Sequence, residues 1–171
     1  MTMARCCSSP SRSTERARAG LRTLAGALLG LALCAPQAQA QTPTASTPLS
    51  FGSFTAGAGG GSISVTSGGG RSKTGTVVLA SQGAPATAAL LNVSGTPSAT
   101  FAITLPVDGV VTLSDGSHTM AVNGFVSSPS LTGALSGGGT AVINVGATLT
   151  VNPSQAPGSY SGSFDVTLNY N

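Results

Sequence analysis

The chain has 171 residues, a formal net charge of +3, only 6% charged residues, three cysteines and no tryptophan. Five of its seven cations (Arg5, Arg12, Arg16, Arg18 and Arg22) and all three cysteines (Cys6, Cys7 and Cys34) lie within the first 34 residues. The remainder sets Arg71 and Lys73 against Asp108, Asp115 and Asp165, a net charge of −1, which excludes a basic nucleic-acid or anionic-lipid footprint, any disulfide and any cysteine-based metal site.

The early cations precede an apolar run of twelve residues, Leu24 to Ala35. That length suits the core of a secretory signal peptide and falls short of the roughly 20 residues that span a bilayer. Pro36 breaks the run, and Ala38-Gln39-Ala40 supplies the small-x-small pattern recognised by signal peptidase. Residues 1–40 therefore read as a signal peptide cleaved before Gln41, with the product delivered to the periplasm, the cell surface or the extracellular space. No membrane span is expected in the mature chain. Residues 41–48, rich in Thr, Pro, Ser and Ala, read as an extended leader, and residues 49–171 as one domain.

Beyond Phe51 no apolar set holds a helical period over three turns, and Ser, Thr, Gly and Val dominate. The expected strands are 49–54, 62–66, 76–80, 88–93, 99–105, 109–113, 118–122, 125–127, 140–151 and 160–170. Turn signals fall between them at a spacing of about eight to twelve residues, which points to an all-β antiparallel sandwich. Asp108-Gly109 and Asp115-Gly116 are hairpin signals of the type I′ kind. Asn123-Gly124 is either a third turn or a bulge that moves Phe125 to a new face. Three runs alternate with a period of two: Phe101, Ile103 and Leu105; then Ala141, Ile143, Val145, Ala147, Leu149 and Val151; then Tyr160, Phe164, Val166, Leu168 and Tyr170. Gly146, inside the second, marks a kink. The glycine clusters 57–61, 68–70 and 137–139 read as loops.

Little chemistry is on offer. His118 stands beside Ser117 and close to Asp115, but neighbouring strand residues point to opposite faces, so it reads as a surface residue flanking a turn. Gly68-Gly69-Gly70-Arg71-Ser72-Lys73-Thr74 has glycines before a Lys-Thr pair, yet Ser72 stands where a phosphate loop needs glycine, and a β-prone run follows instead of a helix. Gly158-Ser159-Tyr160-Ser161-Gly162 puts tyrosine where a nucleophile elbow needs serine. Three scattered aspartates supply neither a carboxylate pair nor a calcium cage. The expectation is a protein that is not an enzyme and holds no cofactor and no metal.

The C-terminal stripe carries more than alternation. Counted back from Asn171, Tyr170 is penultimate, Leu168, Val166 and Phe164 occupy positions four, six and eight, and Gly158 occupies position fourteen. This resembles the C-terminal signature of chaperone–usher pilins. The resemblance implies an immunoglobulin-like, pilin-like sandwich whose last strand (Gly158, Tyr160, Phe164, Val166, Leu168, Tyr170) pairs with a periplasmic chaperone and then with neighbouring subunits by strand addition. More broadly, LSFGSF from Leu49, FAITLP from Phe101, VGATLTV from Val145 and PGSYSGSFDVTLNY from Pro157 resemble a family of secreted bacterial domains catalogued as domain of unknown function 4402. The implied function is a structural subunit of a pilus-like or surface fibre. The alternative is a self-contained secreted adhesion module whose loops contact a matrix or a glycan. Residues 41–48 offer only Ala45 where a polymerising pilin carries an apolar donor strand, so the chain accepts a strand without providing one or is complete by itself.

Overall fold

A computed structural model describes residues 43–171, which fall within one compact unit, Gln37–Asn171. The expected cleavage site at Ala38, Ala40 and Gln41 lies outside the described residues. The described chain is all-β, with no helix. In chain order the strands are β1 (Thr44–Thr47), β2 (Ser50–Phe51), β3 (Phe54–Thr55), β4 (Gly61–Val65), β5 (Arg71–Gly75), β6 (Val78–Leu79) and β7 (Ala86–Thr87). They continue as β8 (Ala89–Ser94), β9 (Thr100–Thr104), β10 (Val111–Ser114), β11 (Thr119–Ser128), β12 (Thr132–Ala134), β13 (Thr140–Val151) and β14 (Thr167–Tyr170).

The principal sheet runs β1-β8-β13-β11-β10, antiparallel throughout, and β13 is its spine. One edge of β13 pairs with β11. On the other edge Thr140 to Val145 pair with β8, then Ala147 to Val151 pair with β4, which carries β5 beyond it. The expected alternation along 140–151 holds: Ile143, Val145, Ala147, Leu149 and Val151 are buried, while Thr140, Val142 and Thr150 are exposed.

The second layer is made of pieces, a three-stranded sheet β12-β9-β14 and the two short ladders β2-β7 and β3-β6. Two apolar clusters lie between the layers. In one, Leu91, Val93, Ile143 and Val145 meet Phe101, Ile103 and Leu168. In the other, Ile63, Val65, Met120, Val122 and Leu149 meet Phe51 and Val77. Leu49, Phe125 and Phe164 pack against both and mark the seam. Burying each large apolar side chain is worth about 1.5–3 kcal/mol, so packing carries the fold. Among the described residues no polar or charged residue is fully buried.

Several elements differ from the sequence expectation. Asn123-Gly124 takes the second of its two expected readings, the bulge, but it joins the two expected strands around it into one of ten residues: the β11–β13 register shifts between Asn123 and Val126, and Gly124 takes φ +58°. Met120 and Val122 face inward before the bulge and Phe125 after it. Asp108-Gly109 is not a hairpin, because β9 pairs with β12 and β14 whereas β10 pairs with β11. It is a corner between sheets, clamped to the bulge by Gly124 N–H donating to Asp108 Oδ1 at 2.7 Å and Gly109 N–H donating to Asn123 Oδ1 at 2.9 Å. Asp115-Gly116 does join a hairpin, β10 to β11, but only Gly116 has a positive φ, so the turn is not the expected I′ type.

The expected strand 49–54 breaks at Gly52, where φ is +69°. The 41–48 stretch contributes β1, paired to β8 with a register shift between Ala45 and Thr47. Residues 71–75, outside the expected strands, form β5; Thr66 N–H donates to Gly70 O at 2.8 Å and closes the β4–β5 turn. The Arg71 guanidinium reaches the Ser53 carbonyl at 2.8 Å, and burial pulls its pKa below the ordinary value. Of the stripe at 160–170, only Thr167–Tyr170 enters a ladder.

Tyr170 packs its ring on Phe101, 6.0 Å between centroids, and its hydroxyl is buried with no hydrogen-bond partner, so burial pushes the phenol pKa up. A buried unpaired hydroxyl costs about 1–3 kcal/mol, so Tyr170→Phe is expected to hold or raise stability by about 1 kcal/mol in urea unfolding. A loss of that size instead would mean that the hydroxyl has a partner.

Candidate groove between the chain ends

The seam in the second layer opens into a groove of about 690 Å³. Its floor is the inner face of the principal sheet, with Ala89 and Leu91 from β8, Val111 and Leu113 from β10 and Val122 from β11. One wall is the N-terminal stretch, including Pro43, Ala45, Thr47 and Leu49, and the other is residues 160–166. Asp165 is the sole charged residue of the lining.

The C-terminal wall is built in steps. After β13, Asn152 Nδ2 donates to the Thr119 carbonyl at 3.2 Å and to Gln155 Oε1 at 2.9 Å. Gln155 Nε2 donates to the Tyr160 hydroxyl at 2.9 Å, which itself donates to the Ala156 carbonyl at 2.8 Å. That chain of bonds fixes the Tyr160 ring at one end of the groove. Ser161 then exchanges two backbone bonds with Ser114 at the edge of β10, at 2.9 and 3.0 Å. From there the segment crosses to the other layer, where Thr167 pairs with Thr104 of β9.

Residues 162–166 belong to no ladder, and none of their N–H groups donates to a backbone carbonyl in the described chain. Their side chains still alternate, with Phe164 and Val166 half-buried and Ser163, Asp165 and Thr167 exposed. Phe164 pins the middle, its ring centroid 5.1 Å from that of Phe125. The result is an extended segment with unspent backbone donors and acceptors alongside an apolar channel.

The residues singled out at the C terminus thus divide. Tyr160, Phe164 and Val166 line the groove; Leu168 is buried in the core and Tyr170 is half-buried against it. Gly158 is exposed beside Asp115 and takes no part in the lining. Sequence reasoning missed the N-terminal wall, because nothing in Pro43, Ala45 or Thr47 announces that they stand opposite the C-terminal stretch.

Asp115 and His118 are brought together, with His118 Nδ1 3.2 Å from Asp115 Oδ2. The geometry is that of a turn cap. Asp115 Oδ1 accepts from His118 N–H at 2.6 Å and from Ser117 N–H at 2.8 Å, and the imidazole is exposed. These backbone donors, His118 first and Ser117 second, hold the carboxyl pKa well below the ordinary carboxylate range. A depressed folded pKa gives stability that is present above the unfolded value, about 3.9, and lost as pH falls towards the folded one. Asp115→Asn keeps an acceptor but no charge, so the stability gap between wild type and variant is expected to narrow when urea unfolding is moved from pH 5 to pH 2.5. A constant gap would contradict this assignment. Among the described residues no group of three or more His, Cys, Asp or Glu side chains is placed to hold a metal.

No curated protein and no solved structure matches this chain. One family does, under the description Domain of unknown function (DUF4402), over residues 42–170. That match spans the whole sandwich and both walls of the groove, and the chain belongs to this family.

Proposed function

We infer that this chain is an exported, non-enzymatic structural subunit of a pilus-like or other surface fibre, with an immunoglobulin-like, pilin-type sandwich that is completed by a strand from another polypeptide. The strand comes first from a periplasmic chaperone and then from a neighbouring subunit. The observation that carries this reading is the apolar groove beside residues 162–166, whose backbone has no ladder partner. A bound acyl chain covers apolar surface but satisfies no N–H or C=O group. An extended peptide does both, since its main chain pairs with the edge and its alternate side chains enter the channel. An apolar edge left bare is an aggregation hazard, which supports permanent occupancy in the cell.

The test is to extract the protein from the surface of its source cells without heating and to separate it in detergent. A ladder of multimers that collapses to one band on boiling is expected. A monomer under both conditions, with no co-purifying polypeptide, would overturn the reading.

A further inference from the structure

The C-terminal strand stops pairing at Thr167, and the register of β9 gives the cause. The odd-numbered residues around β9 bond to the β12 side: Ile103 N–H donates to Leu131 O at 2.6 Å, and Leu135 N–H donates to Ala99 O at 2.8 Å. The even-numbered residues face β14, with Thr104 opposite Thr167, Ala102 opposite Asn169, and Asn171 N–H donating to Thr100 O at 3.0 Å. The next even position is 106, opposite Asp165. Pro106 stands there and has no N–H to give. In place of another pair, Leu105, Pro106 and Val110 stand apart from Phe164 and Asp165 across a second cleft of about 290 Å³.

We propose that Pro106 is the positioning residue of the assembly groove. By removing the donor that would zip residues 162–166 onto β9, it releases them to cross towards Ser114 and wall the channel with their backbone unspent. This inference rests on the groove being the assembly site. It makes Pro106 a determinant of acceptance although the proline is absent from the lining of the larger groove.

Pro106→Val and Pro106→Thr, in the full chain, restore the N–H and favour strand. The pair between residue 106 and Asp165 is expected to form, slowing amide exchange at Asp165 by roughly fivefold to tenfold relative to Asn169, which pairs with Ala102. Multimer formation is expected to fall at least tenfold as the wall is drawn away. Unchanged exchange at Asp165 in both folded variants would overturn the role given to Pro106. Slowed exchange with multimers undiminished would sustain that role and refute the groove as the site of assembly. Normalising to Asn169 separates the local effect from the general cost of replacing a proline.

Discussion

Replacing Gly146 by valine is expected to cost about 3 kcal/mol or more of folding stability, the upper end for overpacking. Gly146 is the point at which β13 changes neighbours, from β8 up to Val145 to β4 from Ala147 onward. The end of β4 and its turn pass directly over it. A Cβ built there would stand 2.2 Å from the Val65 carbonyl oxygen and 2.5 Å from the Thr66 carbonyl carbon. Those are backbone atoms with no rotamer to yield, so the spine or the β4 turn must move. Gly146→Ala should already be destabilised, by less. Thr148→Val on the same face gives up the 2.9 Å bond to the Ser64 hydroxyl and should cost only about 1 kcal/mol. Urea unfolding of the three variants measures the series, and a Gly146→Val protein as stable as Thr148→Val would show that the crossing is looser than described.

The second large effect is on association. Ala45 is an exposed residue of β1, and it lines the groove. Ala45→Trp is expected to place an indole in the channel while leaving stability within about 0.5 kcal/mol, as surface changes usually do. If a strand must occupy the channel, multimer formation should drop at least tenfold. Leu131→Ser, also at an exposed position but outside the lining, should change nothing. Sedimentation of the purified chains reports both, and an Ala45→Trp protein that assembles at the wild-type level would remove the groove from the account.

The sequence made the strands with a strict period of two easy to read and the pairings hard. β13 came through at its full length because one buried face demands apolar residues at every second position. The same stripe at 160–170 was legible as alternation, and the alternation is real. What it did not reveal is that half of the segment has no neighbour, because that depends on Pro106, more than 50 residues earlier, falling on the even side of β9. Asp108-Gly109 failed as a hairpin signal for a related reason. Turn chemistry sets the local bend, whereas the partner of each flanking strand is decided by which face packs on which sheet. The groove needed both chain ends at once, and its N-terminal wall consists of Pro, Ala and Thr residues with no pattern of their own.

The most direct test of the account is amide hydrogen exchange across residues 162–166, compared between the isolated chain and the assembled material from the cell surface. The account predicts fast exchange at Phe164 and Val166, whose N–H groups face away from β9, in the isolated chain and strong protection once assembled, with Asn169, whose N–H faces Ala102 of β9, protected in both. Equal, fast exchange in both states would contradict it, since the strand meant to complete the sandwich would then not be there.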